Sequence, residues 1–561
     1  MKLPVGLSDF KKLVKEGYQF ADKSLLIKEI LTDSADVILI TRPRRFGKTL
    51  NLSMLHYFLQ KDHSQDINLF ENLAISADQE FCTKHQNQYP VIFISFKDIN
   101  QSNYADAYSG IKTLISDLYT EHQYLFDDLE DNVLHEQEKA VFHKLLYKEG
   151  NNFEVEGAIK KLAIYLTRKF NKSPVILIDE YDTPIQEAYL NNYYQDMIKL
   201  MRGILGQALK DNSCLSKAVL TGITRISQES LFSGLNNLEV YSLLREEYGQ
   251  YFGFTEAEVS KLITETQQEV SLSAIKEWYN GYQIGKHVLY NPWSIIKCLK
   301  NHGKLEPYWK NTSSNGLIKK LLNQTKPVVK KQFEELLQGH SIEQPLSENL
   351  VFENIETKAE ALWSLLLYAG YLNVTSTKIH DNYLMAKMRI PNKEVGFVYD
   401  DIIKEWFIDA VSLDSYYQLI RSLVDGAMDT FRIHLSEYIM QSGSRFDFNK
   451  NTSEQVFHSL ILGIIIGLRD NYVILSNHET GLGRSDVVII PKNTDREGII
   501  LEFKVTKAPK MLNKETEEAL KQIKDKKYIE IFKQHNIESV LAVGLAFCGT
   551  EVKLAHETLK I

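Results

Sequence analysis

Cysteine is scarce. The 561 residues include four, Cys82, Cys214, Cys298 and Cys548, and none lies near another in the sequence. That spacing excludes a CxxC-type metal knuckle, and a disulfide framework is a poor expectation at this size, so a reducing cytoplasm is the expected setting. Long apolar runs are also lacking. The longest, Leu460 to Leu468, falls far short of the roughly 20 residues of a membrane span. The stretch MKLPVGLSDFKKLVKEG lacks the apolar core of a secretory signal. There is no excess of positive charge: 65 Lys+Arg stand against 73 Asp+Glu, a net charge of −8. That argues against a protein coated with nucleic acid and leaves room for a local basic groove. Internal repeats and low-complexity tracts are missing. The expected protein is soluble and cytoplasmic, with no membrane partner.

What is present is ordinary for a globular chain, 44% apolar and 25% charged. At roughly 150 residues per domain, the length suggests three or four units. In the first half, the short apolar runs Val37–Ile40, Val91–Ile94, Val175–Ile178 and Ala218–Leu220 alternate with longer stretches of helical spacing. This pattern predicts a parallel sheet covered on both faces. It fades after about residue 235. Residues 256–345 read as mainly helical around the interruption Trp278-Tyr279-Asn280-Gly281-Tyr282, which carries an Asn-Gly turn signal. Residues 346–440 also read as mostly helical, with a strand-like patch at Tyr371–Val374, and Met440–Ser444 reads as a linker. Beyond 450 a helix precedes strands at Tyr472–Leu475, Asp486–Ile490 and Ile499–Phe503. A Lys/Glu-rich helix and a strand at Ser539–Val543 follow, a compact α/β unit.

The run Thr41-Arg42-Pro43-Arg44-Arg45-Phe46-Gly47-Lys48-Thr49 follows the first strand and precedes a helix-like segment, Leu50–Leu59. Its ending is that of a P-loop. Gly47 lets the backbone approach phosphates, Lys48 reaches the β- and γ-phosphates, and Thr49 is a Mg²⁺ ligand at a helix N-terminus of partial positive charge. Arg42 stands where GxxxxGK[ST] has its first glycine, so the start of the loop must depart from the usual path. The strand Val175–Ile178 runs into Asp179 and Glu180. An acid at such a strand end holds Mg²⁺, and the next one can orient or deprotonate the attacking water, so Asp179 is assigned to the metal and Glu180 to the water. After the fourth strand, Arg225, and further on Arg245, are candidates for sensing the γ-phosphate or stabilising transition-state charge. Each has an alternative reading as a surface or ion-paired arginine.

A second constellation lies near the C-terminus. Asp486 opens an apolar strand, and the next strand carries Glu502-Phe503-Lys504, whose period of two puts Glu502 and Lys504 on one face. Two carboxylates and a lysine are what metal-assisted phosphodiester cleavage asks for: Asp486 and Glu502 to hold Mg²⁺ or Mn²⁺, and Lys504 to position water or stabilise charge. Glu454, one helical turn before His458, and Gln522 on the following helix are candidates to join them. Lys507, Lys510 and Lys514 suit a phosphate backbone, or form a solvated face with Glu515, Glu517 and Glu518.

These motifs together resemble bacterial AAA-ATPase-like proteins that carry a C-terminal PD-(D/E)XK nuclease-superfamily domain. The P-loop without its first glycine is similar to that family's, as are Asp22-Lys23, Ile178-Asp179-Glu180-Tyr181-Asp182 and Ser233-Gly234-Leu235-Asn236-Asn237. So are Trp278–Tyr282, Tyr290-Asn291-Pro292-Trp293-Ser294, Tyr308-Trp309, Gly483-Arg484-Ser485-Asp486 and Glu502-Phe503-Lys504. The resemblance implies an AAA-like P-loop ATPase domain over 1–235, a helical lid over 236–345 and a mainly helical connection over 346–440. It implies a restriction-endonuclease-like α/β domain over 441–561. The expectation is an ATP-dependent or ATP-regulated, metal-dependent nuclease acting on nucleic acid, with a homo-oligomer as a further possibility. The rival expectation is a signalling or scaffold ATPase whose C-terminal domain binds nucleic acid or protein without cutting it.

Overall fold

Runs of β-branched and aliphatic residues flanked by helices can bury both faces of a strand only inside a covered parallel sheet. In the computed structural model four such runs form β1 (Val37–Thr41), β2 (Val91–Ser95), β3 (Val175–Asp179) and β4 (Lys217–Gly222). A short strand that the periodicity does not announce, β5 (Leu238–Tyr241), joins them. The sheet has the order β2-β3-β4-β1-β5 and every pair is parallel. β1, β3 and β4 are buried along their whole length. The described residues are 2–61, 69–126, 133–210, 212–226, 237–309, 327–337, 339–348, 352, 358–399, 412–446, 454–480 and 483–561. The chain divides into two compact units, one of Met1–Thr325 with Ser341–Val395 and one of Lys326–His340 with Gly396–Ile561.

In the first unit, the Asn280-Gly281 signal proves to be a helix stop and not a hairpin turn. Asn280 caps the helix Leu272–Tyr279 and Gly281 takes φ 103° against the Pro391 carbonyl, which leaves no room for a Cβ. The hairpin follows, β6 (Tyr282–Ile284) and β7 (His287–Leu289), turning at Gly285. Asn291 then caps the helix Pro292–Lys300 by accepting from the backbone N–H groups of Trp293 and Ser294, with proline at the first helical position. The stretch read as mainly helical contains an antiparallel sheet, β8 (Ile342–Leu346), β10 (Tyr383–Arg389) and β9 (Asn373–His380), in that order. Its hairpin turns through Asp381 and Asn382, both at positive φ, the turn that matches strand twist.

Glu394 sits fully buried in this unit. Its two carboxylate oxygens accept from the Ser294 hydroxyl at 2.7 Å and the Trp309 backbone N–H at 2.8 Å. Burial pushes its carboxyl up to about 7. The folded protein therefore holds a proton that the unfolded chain releases near its ordinary value. The carboxyl's stabilising contribution is complete below about pH 4.5 and is lost as the pH rises through 7. Relative to Glu394→Gln, which keeps one acceptor for the Trp309 N–H and can donate its amide N–H to the serine hydroxyl oxygen, the wild type should lose roughly 3 kcal/mol of stability between pH 4 and pH 8. Thermal or urea unfolding of both proteins across that range measures it, and parallel pH profiles would refute it.

The second unit is a mixed five-stranded sheet, β11 (Tyr472–Thr480), β12 (Gly483–Pro491), β13 (Gly498–Val505), β14 (Ser539–Cys548) and β15 (Glu551–Lys560), in chain order. β13 and β14 run parallel and the other neighbours antiparallel. Period two separates its faces. Val487, Ile489, Ile499, Leu501 and Phe503 pack with Phe457 and Ile461 of the helix Glu454–Ile465. Val488, Ile490 and Ile500 pack with Ile523 of the helix Leu512–Asp525 and with Tyr528. Met440–Ser444, expected as a linker, lies within the helix Met428–Phe446. That helix buries Phe431, Leu435, Tyr438 and Ile439 in the core, and packing overrides the weak helix propensity of Ser and Gly. Among the described residues no helix is long and apolar enough to cross a membrane.

Candidate nucleotide and nuclease-like sites

β1 ends at Thr41 and the helix Lys48–Leu59 begins directly after Gly47. The loop between them takes its left-handed turns at Arg45, φ 68°, and Gly47, φ 83°. Arg42 needs no such angle, which is why arginine can replace the first glycine. Its guanidinium is fully buried and donates to the carbonyls of Thr41 and Tyr241 at 2.8 Å and of Glu247 at 3.2 Å, over the Phe252 ring. It thus ties the ends of β1 and β5 together. Burial lowers its pKa to about 9.

Lys48 is also buried. Its Nζ donates to the carbonyls of Arg42 and Pro43 at 3.0 Å. Burial pulls its pKa down and the nearby Glu180, Asp182 and Asp179 oppose the shift. Thr49 donates its hydroxyl to Asp179 at 2.8 Å, so the loop and the end of β3 meet. The other Asp179 oxygen accepts from Thr221 of β4 at 2.7 Å, and Ser95 of β2 donates to Oδ2 at 3.3 Å. Glu180 follows in the left-handed region, φ 50°. Burial raises its carboxyl above the usual range, against the pull of Lys48. A cavity of about 570 Å³ opens here, lined among others by Arg44, Arg45, Lys48, Thr49, Glu180 and Asp182. It lies at the carboxyl ends of parallel strands, where such sheets bind ligands.

The sequence reading of roles missed Asp182, Thr221 and Ser95. Asp182 is fully buried and its Oδ2 accepts from the backbone N–H groups of Ile223 and Thr224 at 2.9 and 3.0 Å. With Tyr181, which donates to the Thr224 carbonyl at 2.6 Å, it pins the turn after β4 to the acidic strand end. Gly222 is required there, because a Cβ would strike Tyr181 and Asp182. Of the arginine candidates, Arg225 is not among the residues lining the cavity, and Arg245 is half-exposed in an ion pair with Glu239 at 2.5 Å. The aromatic stretches enclose the loop. Arg45 stacks on Trp293 at 4.5 Å, Phe46 meets Tyr282 edge to face at 5.0 Å, and Asn291 donates to the Arg44 carbonyl at 3.5 Å. Residues 233–236 of the family-like string lie outside the described residues, as does the side chain of Arg484.

In the second unit Asp486 stands one step beyond the Val487–Leu501 pair, across from Glu502. Its Oδ2 accepts from the Phe503 N–H at 2.7 Å, and its own N–H approaches Glu502 Oε2 at 3.4 Å. Lys504 Nζ lies 3.7 Å from Glu502 Oε1, which also accepts from Gln522. Asp486, Glu502, Lys504 and Gln522 therefore converge on one face of the sheet. The helix bearing Glu454 covers the opposite face. His458 reaches round to donate to the Asp486 carbonyl at 3.1 Å, and Glu454 is exposed, within electrostatic range of Asp486 and Lys504. Burial first, then the charge of Asp486, pushes the Glu502 carboxyl up to about 8. Burial also raises Asp486. Lys507 and Lys510 are exposed, and Lys514 pairs with Glu518 at 3.6 Å.

Among the described residues no group of three or more His, Cys, Asp and Glu side chains is arranged to hold a metal ion. The donors at both sites fit a hard cation of the Mg²⁺ type, which takes one or two carboxylates and keeps several waters. Burial, and at Glu502 the charge of Asp486, hold both carboxyls above the usual range, and a bound cation would favour their ionised forms in place of a proton.

Residues 4–232 match the family model described as AAA-ATPase-like, a predicted AAA-ATPase, and residues 452–557 match that of the PD-(D/E)XK nuclease superfamily. A protein described as uncharacterized, from the vnfD 5′ region of Azotobacter chroococcum, is 25% identical over 397 residues, 70% of this chain and 68% of that protein. A Walker-type ATPase of Pyrococcus abyssi aligns at 14% identity with a TM-score of 0.34, over 71% of this chain and 98% of that one. The chain joins an AAA-ATPase-like domain at residues 4–232 to a domain of the PD-(D/E)XK nuclease superfamily at residues 452–557.

Proposed function

We propose that the protein binds and hydrolyses ATP at the loop Thr41–Thr49 and the strand end Asp179–Glu180, and that its C-terminal domain cleaves phosphodiester bonds in nucleic acid. The observation that carries the first half is the Thr49–Asp179 hydrogen bond at 2.8 Å, which brings the hydroxyl and carboxylate suited to Mg²⁺ together beside Lys48. Glu180, one residue on and raised by burial, takes the proton of the attacking water in this reading. The second half rests on Asp486, Glu502 and Lys504 sharing one face. There Asp486 and Glu502 would hold Mg²⁺ or Mn²⁺, which when bound lowers the pKa of water and neutralises phosphate charge. Gln522 orients the Glu502 carboxylate.

Phosphate release and nucleotide titration, with and without Mg²⁺, test the ATPase. Lys48→Ala should lose turnover and weaken ATP binding, because the phosphate charge loses its cation. Glu180→Gln should bind ATP normally and hydrolyse it about 10²- to 10⁴-fold more slowly. Asp179→Asn should impair the Mg²⁺-dependent part of binding. Wild-type turnover in Lys48→Ala would sink the assignment. The rival role, a signalling or scaffold ATPase that binds nucleic acid or protein without cutting, gains ground only if no metal, nucleotide or nucleic-acid condition yields cleavage.

A further inference from the structure

The three equatorial oxygens of a transferred phosphoryl group carry charge that one lysine does not balance, and NTPases of this architecture gain from an added guanidinium. Arg225 is not among the cavity's lining residues and Arg245 is held by Glu239. The lining carries five cations, Lys23, Arg44, Arg45, Lys48 and Lys97. Lys23 is occupied by Glu258 at 2.6 Å and the Gln250 carbonyl at 2.8 Å. Arg45 is stacked on Trp293, and Lys97 is exposed. Arg44 differs from all of these. Its guanidinium is half-buried, has no hydrogen-bond or ion-pair partner among the described residues, and acts electrostatically on both Lys48 and Glu180. Its backbone is held on the C-terminal side: Asn291 donates to its carbonyl at 3.5 Å, and the next residue is stacked on Trp293.

We propose that Arg44, within the P-loop itself, is the guanidinium that stabilises charge on the transferred γ-phosphoryl group, acting in cis. This rests on the ATPase reading above. In the step it serves, the water oxygen bonds to the γ-phosphorus as the bond to the β–γ bridging oxygen breaks. The electron pair leaves with ADP, the water proton passes to Glu180, and Arg44 makes and breaks no covalent bond. A guanidinium already inside the loop makes each chain sufficient for its own hydrolysis.

The test uses the full chain. Arg44→Ala should lower kcat about 10³-fold, the lower end of what such arginines supply. Its Kd for ATP should stay within about threefold of wild type, since the charge it meets develops in the transition state. Trapping of ADP with aluminium fluoride, a mimic of the transferred phosphoryl group, should fail in Arg44→Ala and partly return in Arg44→Lys. Mixing Arg44→Ala chains with Lys48→Ala chains should restore nothing. Wild-type kcat in Arg44→Ala overturns the proposal and leaves the ATPase reading standing. Activity regained on mixing also overturns it, because the guanidinium would then come from another chain. A wild type that neither binds nor hydrolyses ATP overturns the ATPase reading, and this proposal with it.

Discussion

Asp486→Ala and Lys504→Ala should each lower metal-dependent phosphodiester cleavage by about 10³-fold, the size of loss that follows removal of one charge-stabilising group, while ATP hydrolysis continues. The two fail for different reasons. Asp486 and Glu502 form the carboxylate pair, so removing Asp486 should weaken Mn²⁺ or Mg²⁺ binding. Lys504, 3.7 Å from Glu502, offsets carboxylate charge without being a metal ligand, so its loss should spare metal affinity and act on the water or the phosphate. Asp486 also accepts the Phe503 N–H, and Asp486→Ala leaves that buried donor unpaired at a cost of about 1–3 kcal/mol. Asp486→Asn keeps the acceptor and loses the charge. It should be as inactive as the alanine variant yet melt near wild type, which separates a chemical defect from a folding one. Plasmid and single-strand cleavage, metal titration and ATPase assays on the same preparations decide. If the wild type cuts and these variants cut equally, the nuclease site lies elsewhere.

The legible parts of the molecule were those whose chemistry is written in adjacent residues. β1 to β4 are uninterrupted aliphatic runs, and Gly47-Lys48-Thr49 and Asp179-Glu180 sit at strand ends that only a parallel sheet can bring together. The E-x-K triplet on β13 is readable because period two is local. Thr221 and Ser95 were not legible as partners of Asp179, since each hydrogen bond spans a sequence separation that only strand order fixes, with β4 beside β3 and β2 on its other side. Asp182 carried a signal in the string Asp179-Glu180-Tyr181-Asp182, but its role depends on the turn it pins. β15 is not announced by the sequence although Glu551-Val552-Lys553-Leu554 begins with a clear alternation, because charge masks an edge strand. The Asp381-Asn382 turn was a readable hairpin signal of the same kind. Helix order does not say which face of the sheet the helix of Glu454 covers: it packs on the opposite face, and Glu454, at its first residue, comes within electrostatic range of Asp486, Glu502 and Lys504.

Restoring the missing P-loop glycine should harm the protein. Arg42→Gly gives the loop the residue that GxxxxGK[ST] calls for, yet the backbone there is not left-handed and gains nothing from glycine. What it loses is a buried guanidinium that satisfies the carbonyls of Thr41, Tyr241 and Glu247 and fills the space over Phe252. Leaving buried carbonyls without their donor costs about 1–3 kcal/mol for each one that finds no other partner. The loss should fall on the join between β1 and β5, since Tyr241 is the last residue of β5 and Thr41 the last of β1. Hydrogen exchange should speed up first in residues 238–252 and in the loop, ahead of β2 and β3. ATP binding should weaken as well, because Lys48 takes its position from the carbonyls of Arg42 and Pro43. Arg42→Lys should lie between, keeping a cation but only a point donor where the guanidinium makes three separated bonds. Unfolding curves and nucleotide titration of both variants measure this. An Arg42→Gly protein as stable as wild type, with tighter ATP binding, would show that the arginine is a tolerated substitution and not a tie between strands.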